Sequence, residues 1–359
     1  MIVHTSIGGR RARVELSNLF GSAPMAIGSA HIALRDKESS IVSGSDRALT
    51  VNGKTSFRIP PGAALISDPV DLNVPALGDL AISVYIPGDS GTLTTHANAL
   101  HTTYISREGD ATAAPSIADA ATSRSWYWIS DVEVLAPADA AAIVTLGDSI
   151  TDGTASTVDT DRSWPAFLAR RLAANQATSN LAVLNEGIAG NGISREIAGP
   201  NALARFDRDV LTRPGVKWMT ILEGINDIGT TTRQNTPQEN AVTPDELIGA
   251  MRQLIERAHT HGIKVIGCTL TPYEGAAYYS EAGEAIRQAV NRWIRTGGAF
   301  DAVVDFEAVT RDSNNPKTFR ADFNERDHLH PNDAGYKAMA DAIDLAIFAP
   351  KTVSASASR

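Results

Sequence analysis

Ile143-Val144-Thr145-Leu146-Gly147-Asp148-Ser149-Ile150-Thr151-Asp152-Gly153 is the stretch on which the reading of the fold turns. Its apolar start has the length of a buried strand, and the strand stops at a glycine, with a serine two residues on where a helix can begin. Gly147 lets the backbone turn sharply without a Cβ clash. Ser149 then falls where the first N–H groups of the next segment have no partner inside the helix. Such free donors favour the negative charge that an attacked ester carbonyl develops. Taken alone, the stretch fits a plain helix cap at Asp148 or Ser149 equally well. What separates the two readings lies downstream.

After this strand the pattern repeats. Candidate strands at 142–146, 181–185, 216–222, 263–270 and 302–306 alternate with helical stretches at 162–175, 244–261 and 281–296, and a last helix follows Pro331. Thr243-Pro244-Asp245-Glu246 is a helix start with Thr243 as cap, proline in the first turn and early acids, and His261-Gly262 is a matching stop. Strands separated by helices imply a parallel sheet covered on both faces, and ligands on such sheets bind at the carboxyl ends of the strands. Ser149 stands at one such end.

Before this strand, the chain reads as all-β. Arg11-Ala12-Arg13-Val14-Glu15-Leu16, His31-Ile32-Ala33-Leu34-Arg35, Ala48-Leu49-Thr50-Val51 and Leu80-Ala81-Ile82-Ser83-Val84-Tyr85-Ile86 alternate or cluster apolar residues. Turn signals separate them at Ile7-Gly8-Gly9, Val51-Asn52-Gly53, Pro60-Pro61-Gly62 and Pro87-Gly88-Asp89. Short strands with frequent turns suggest a sandwich or jelly roll. Trp126-Tyr127-Trp128-Ile129 is read as a core strand closing that domain, ahead of the alternative of a sugar-stacking platform. The expected division is a β-sandwich or jelly-roll-like accessory domain at 1–137, an α/β domain at 138–349 and a small, polar, loose tail at 350–359.

At 359 residues the chain is long enough for two domains. With 41 acidic against 32 basic residues and a formal charge of −9, it has no basic footprint for nucleic acid or an anionic membrane. No apolar run has the length to cross a bilayer. Met1-Ile2-Val3-His4-Thr5-Ser6 lacks the layout of a signal peptide, which leaves the compartment open between cytoplasm and export with a trimmed leader. The single cysteine, Cys268, excludes an internal disulfide and sits in the apolar run Val265-Ile266-Gly267-Cys268, as a small core residue would. Oligomeric state is not written in this sequence.

Two further strand ends carry polar sequence: Asn185-Glu186-Gly187-Ile188-Ala189-Gly190-Asn191-Gly192 and Glu223-Gly224-Ile225-Asn226-Asp227. The glycines of the first do not follow G-x-G-x-x-G, and no phosphate loop of the G-x-x-x-x-G-K-[ST] kind occurs. The Gly190 N–H is available as a donor, and the Asn226 amide donates without ever carrying charge. Either segment alone is also a plausible loop-forming turn. In Arg326-Asp327-His328-Leu329-His330-Pro331-Asn332-Asp333, Asp327 lies three residues before His330, close enough on a tight turn to hold the imidazole N–H. Pro331 suits the start of a helix that includes Tyr336, Met339 and Ile343. One carboxylate and two histidines in this turn make a poor zinc site. His328, His259 and His261 read as surface residues, and Glu274-Gly275-Ala276-Ala277-Tyr278-Tyr279 reads as either a pocket wall or a surface loop.

The four blocks Gly147-Asp148-Ser149, Gly190, Gly224-Ile225-Asn226-Asp227 and Asp327-His328-Leu329-His330 occur in that order, and with them residues 142–347 resemble the SGNH hydrolases, also called GDSL-type esterases and lipases. The resemblance implies a flavodoxin-like three-layer α/β/α domain with a central parallel sheet, with Ser149 as nucleophile, His330 as base and Asp327 as its orienting acid. It also implies oxyanion donors at the Ser149 and Gly190 backbone N–H groups and the Asn226 side chain, with no metal or organic cofactor. Ile150 replaces the usual leucine. The N-terminal part resembles, less specifically, the β-domain that precedes the hydrolase domain in some members. No G-x-S-x-G elbow surrounds Ser149, which sets the chain apart from the α/β-hydrolases. The expected activity is hydrolysis of small or polar carboxylic esters through an acyl-enzyme, since no large apolar lid segment is present; acetylated carbohydrates are one candidate class. Two alternatives are an acyltransferase using the same three residues and a carbohydrate-binding protein with an inactive hydrolase domain.

Overall fold

The computed structural model describes residues 1–107, 109–233 and 236–349, so the tail expected at 350–359 lies outside the described residues. Five parallel strands form one sheet in the order Leu181–Gly187, Ala141–Gly147, Val216–Leu222, Lys264–Cys268 and Ala302–Val304. Ala141–Gly147 lies inside the sheet and is buried along nearly its whole length, as a continuous apolar run requires when both faces are covered. Its register aligns three strand ends: Gly147 is opposite Gly187 on one side and Leu222 on the other. The segments that follow these ends therefore start at one level.

Helices cover the sheet in two groups. Trp164–Ala173 packs against Asp333–Asp341, and Pro244–Thr260 packs against Glu281–Thr296. Ile143, Val144, Met219, Ile221, Val265 and Ile266 share one core with Leu168, Leu254, Val290 and Met339 from these helices. Thr243 forms a full capping box with Glu246, and Gly262 takes a left-handed φ of 71° just past the helix end.

Several boundaries differ from the sequence reading. The strand expected at 302–306 ends at Val304, because the Asp305 side chain accepts from the Ala308 N–H and starts the helix Phe306–Thr310. Asn332 caps the helix Asp333–Asp341, so Pro331 stands before the cap and Ile343 beyond the helix end. Ala202–Phe206, which runs on into a wide turn at Asp207–Leu211, and Ile225–Thr232 are helices without the long periodic pattern that would announce them. Cys268 is fully buried, as expected.

The N-terminal region is built from antiparallel strands. One sheet orders Ile2–His4, Asp79–Tyr85, Ser29–Leu34 and Arg47–Ala48; in the other, Gly9–Ser17 pairs with Ile129–Val134, Ala64–Ile66 and Val70–Val74. Val14, Leu16 and Leu72 from one sheet meet Ile32, Leu80 and Ile82 from the other in a single core. The tryptophan run does not form one strand. Trp126–Tyr127 pairs with Thr95–His96, Trp128 takes a left-handed φ of 58°, and the chain re-enters the second sheet at Ile129. That break ends the alternation a continuous strand needs. Trp126 and Trp128 still pack against the core.

The antiparallel region sits against the edge strand Leu181–Gly187. The Val183 N–H donates to Ser6 Oγ (3.0 Å), and Arg213 bridges Glu15 (3.4 Å) and Asp131 (3.4 Å) of the antiparallel region to Glu186 (3.2 Å). An otherwise open sheet edge is thereby covered.

Candidate active site

The strand Ala141–Gly147 hands over to a helix of a single turn, Ser149–Asp152. Asp148 caps it by accepting the Ile150 N–H (2.9 Å), so the capping role does not fall to Ser149. At Gly147 a Cβ would lie 2.2 Å from Thr151 Oγ1 and 2.6 Å from the Leu222 carbonyl oxygen. Only glycine fits there. Ser149 is 5% exposed, and its Oγ lies 2.8 Å from His330 Nε2.

His330 comes from the tight turn that precedes the last helix. Its Nδ1 is 2.5 Å from Asp327 Oδ2, while Asp327 Oδ1 accepts the backbone N–H groups of Leu329 and His330 (both 3.0 Å). Burial works against charge on Asp327, but these N–H groups and the imidazole outweigh it and hold the carboxyl below its ordinary range. With Nδ1–H directed at this carboxylate, the neutral ring presents the Nε2 lone pair to the Ser149 hydroxyl.

Gly190 takes a left-handed φ of 79° in the loop after Leu181–Gly187. Among the described residues, neither its N–H nor that of Ser149 has a protein acceptor. Asn226 lies in the first turn of Ile225–Thr232 and is 6% exposed. One hydrogen of its amide goes to the Asn191 carbonyl (2.9 Å), while Tyr278 donates to its Oδ1 (3.2 Å). The second amide hydrogen is left for another acceptor. Burial raises the Tyr278 hydroxyl well above its usual range, so it remains a donor.

A model of the GDSL-like Lipase/Acylhydrolase family matches residues 145–338, more than half of the chain, and spans Ser149, Gly190, Asn226, Asp327 and His330. The chain belongs to this family. Among solved structures, this GDSL-like hydrolase is similar to the acetylxylan esterase Axe2 of Geobacillus stearothermophilus, at 23% identity over 58% of this chain and 93% of that one, with a TM-score of 0.45. It is also similar to a GDSL-like lipase of Bacteroides thetaiotaomicron, at 22% identity over 58% of this chain and 87% of that one, with a TM-score of 0.41. No curated protein matches the chain.

The GDSL-like hydrolase has supporting residues that the sequence did not disclose. Asp227, to which the sequence assigns no task, accepts the N–H groups of Ile193 (2.8 Å), Ser194 (3.1 Å) and Arg195 (3.2 Å), and so shapes the loop that carries Gly190. Arg205 is fully buried and donates to the carbonyls of Gly147 (2.9 Å) and Glu186 (2.8 Å) and to Asn191 Oδ1 (3.0 Å). It lies on one of the unforeseen helices, and nothing in its sequence neighbourhood sets it apart from a surface arginine. Of the segment 274–279, Tyr278 touches Asn226 directly, donating to its Oδ1.

Below the site, burial pushes Asp148 up to about 7 and Glu223 well above its ordinary value. His259, His261 and His328 are exposed, as expected. Among the described residues, one group of side chains is close enough to hold a metal ion, His4 with Asp79 and Asp161, and it shares no residue with the site. Among the described residues, no helix is long and apolar enough to cross a membrane.

Proposed function

We propose that this GDSL-like hydrolase is a serine esterase acting on small or polar carboxylic esters, with Ser149 as nucleophile, His330 as general base and Asp327 as the acid that orients it. The reading rests on one observation, the unbroken path from Asp327 through His330 to the Ser149 hydroxyl, with contacts of 2.5 and 2.8 Å. His330 Nε2 takes the Ser149 proton as Oγ attacks the ester carbonyl. The N–H groups of Ser149 and Gly190 and the free Asn226 amide hydrogen receive the oxyanion. Collapse of the tetrahedral intermediate breaks the ester C–O bond, and His330 returns the proton to the leaving alcohol. Water, deprotonated by the same imidazole, then releases the acid and frees Ser149.

The surface favours short or polar acyl groups. Of the large hydrophobic residues that are exposed among the described residues, only Ile197 belongs to a loop beside the site, which leaves a long acyl chain little apolar ground. Acetylated carbohydrate is one candidate class among these esters, with residues 1–137 as an accessory β-domain and 138–349 as the hydrolase domain. The test compares acetate release from acetylated sugars with cleavage of p-nitrophenyl esters of rising chain length, for the wild type and Ser149→Ala. Acetate release that is lost in Ser149→Ala supports the reading. Wild-type rates in Ser149→Ala end it, and activity on simple esters without release from sugars removes the carbohydrate class.

A further inference from the structure

The nucleophile's helix is one turn long, too short to be stable by itself. Asp148 fixes its front. Its far end is Asp152, 8% exposed, whose Oδ1 accepts a hydrogen bond from His96 Nε2 (2.9 Å) and whose main-chain carbonyl accepts one from Asn185 (3.3 Å). His96 lies in the strand Thr95–His96, in the antiparallel region, far from the parallel sheet in sequence. The residues after it continue alongside the nucleophile segment. Asn98 donates to Thr154 Oγ1 (2.9 Å), the Leu100 carbonyl accepts the Asp159 N–H (2.9 Å), and Thr102 Oγ1 donates to Asp159 (2.6 Å).

The pair carries charge as well as geometry. Burial disfavours a proton on His96, but the Asp152 carboxylate outweighs it and the imidazole is raised above its ordinary value. Arg205, from Ala202–Phe206, opposes that charge from another side. The Trp126 ring lies 6.0 Å from that of His96 and 5.9 Å from that of His101, which is paired with Asp161 (2.9 Å). Without His96, a buried carboxylate would stand uncompensated within one turn of the donor that receives the oxyanion, where it disfavours the same negative charge.

We propose that His96 is a positioning residue for Ser149: it reaches from the antiparallel region to hold the far end of the nucleophile's turn and to cancel the charge of Asp152. The inference rests on the esterase reading above, and it makes residues 95–102 a working part of the enzyme. In the full chain, His96→Gln keeps a donor but loses the positive charge. Its kcat on p-nitrophenyl acetate falls roughly 10- to 100-fold, with KM and thermal midpoint near wild type. Adding Asp152→Asn restores most of kcat, because the uncompensated charge is gone. The wild type also loses kcat on the alkaline side as His96 gives up its proton, and neither variant shows that limb.

A kcat for His96→Gln within twofold of wild type, a change in KM alone, or no recovery with Asp152→Asn overturns the inference. If His96→Gln does not fold, Asp152→Asn alone decides: persistence of the alkaline limb overturns it, and loss of that limb at near-wild-type kcat supports it. Ser149→Ala measured in parallel separates the two readings. An active Ser149→Ala sinks the esterase assignment, whereas an inactive Ser149→Ala beside an unaffected His96→Gln sinks only the role of His96.

Discussion

The parallel sheet and the antiparallel region solve the same packing problem with different consequences for where polar residues can stand. In the parallel sheet, strands buried on both faces spend their side chains on the core, and polar groups concentrate at one end, where Ser149, Gly190 and Asn226 follow three aligned strands. In the antiparallel region, many short strands share one core, and the histidines His4, His96 and His101 all face acids at the seam. One half presents a site at its rim; the other presents a surface that grips it.

If the proposed division of labour holds, substitutions at the rim abolish chemistry, and substitutions at the seam other than His96 change stability. The largest effect is expected for Ser149→Ala, with kcat/KM for ester hydrolysis down on the order of 10⁴-fold or more and an unchanged unfolding curve. Residual turnover near wild type would put the chemistry elsewhere. Asn226→Ala comes next, with kcat lowered roughly 10²–10³-fold and KM little altered in steady-state assays. A rise in KM without loss of kcat would make Asn226 a ground-state contact instead.

At the seam, Arg213→Met leaves Glu15, Asp131 and Glu186 facing one another with their shared cation gone. Denaturant unfolding should show a loss of about 3 kcal/mol, with little change in kcat for the folded fraction. Equal stability would show that the two regions do not need this contact.

The last expected effect is a slope with pH. Asp148 holds its proton up to about pH 7 when folded and releases it near 3.8 when unfolded, so the native state binds more protons between those values. Its contribution to stability is fully present below about pH 4 and is lost as pH rises through about 7. Asp148→Asn keeps a good cap and removes this titration, so thermal midpoints should decline less between pH 4 and 7 than in the wild type. An unchanged slope would mean that Asp148 is already ionised in the folded protein.

The same contrast explains what could be read from sequence. Long apolar runs such as Val216–Leu222 and the periodic helix Glu281–Thr296 carry their own signal, and in both the sequence bounds and the structural bounds coincide. The Asp327–His330 spacing was legible because the contact is local. Trp128 was not, because one left-handed residue splits an apparently continuous strand, and only the pairing partners on either side reveal it. Arg205 and His96 were invisible for a related reason: their partners lie far away in sequence, and a lone arginine or histidine has no periodicity to betray its task.

Arg205 couples things that chemistry would treat as separate. Its guanidinium holds the last carbonyl of the nucleophile strand, the end of the neighbouring strand and the Asn191 amide beside Gly190. Ser149 and the loop of Gly190 are therefore tied into one hydrogen-bonded block, and a disturbance at either strand end reaches both. Tyr278 is tied to the same block only at second hand, through Asn226 and Asn191, so substitutions there should reach the two strand ends more weakly than a change at Arg205.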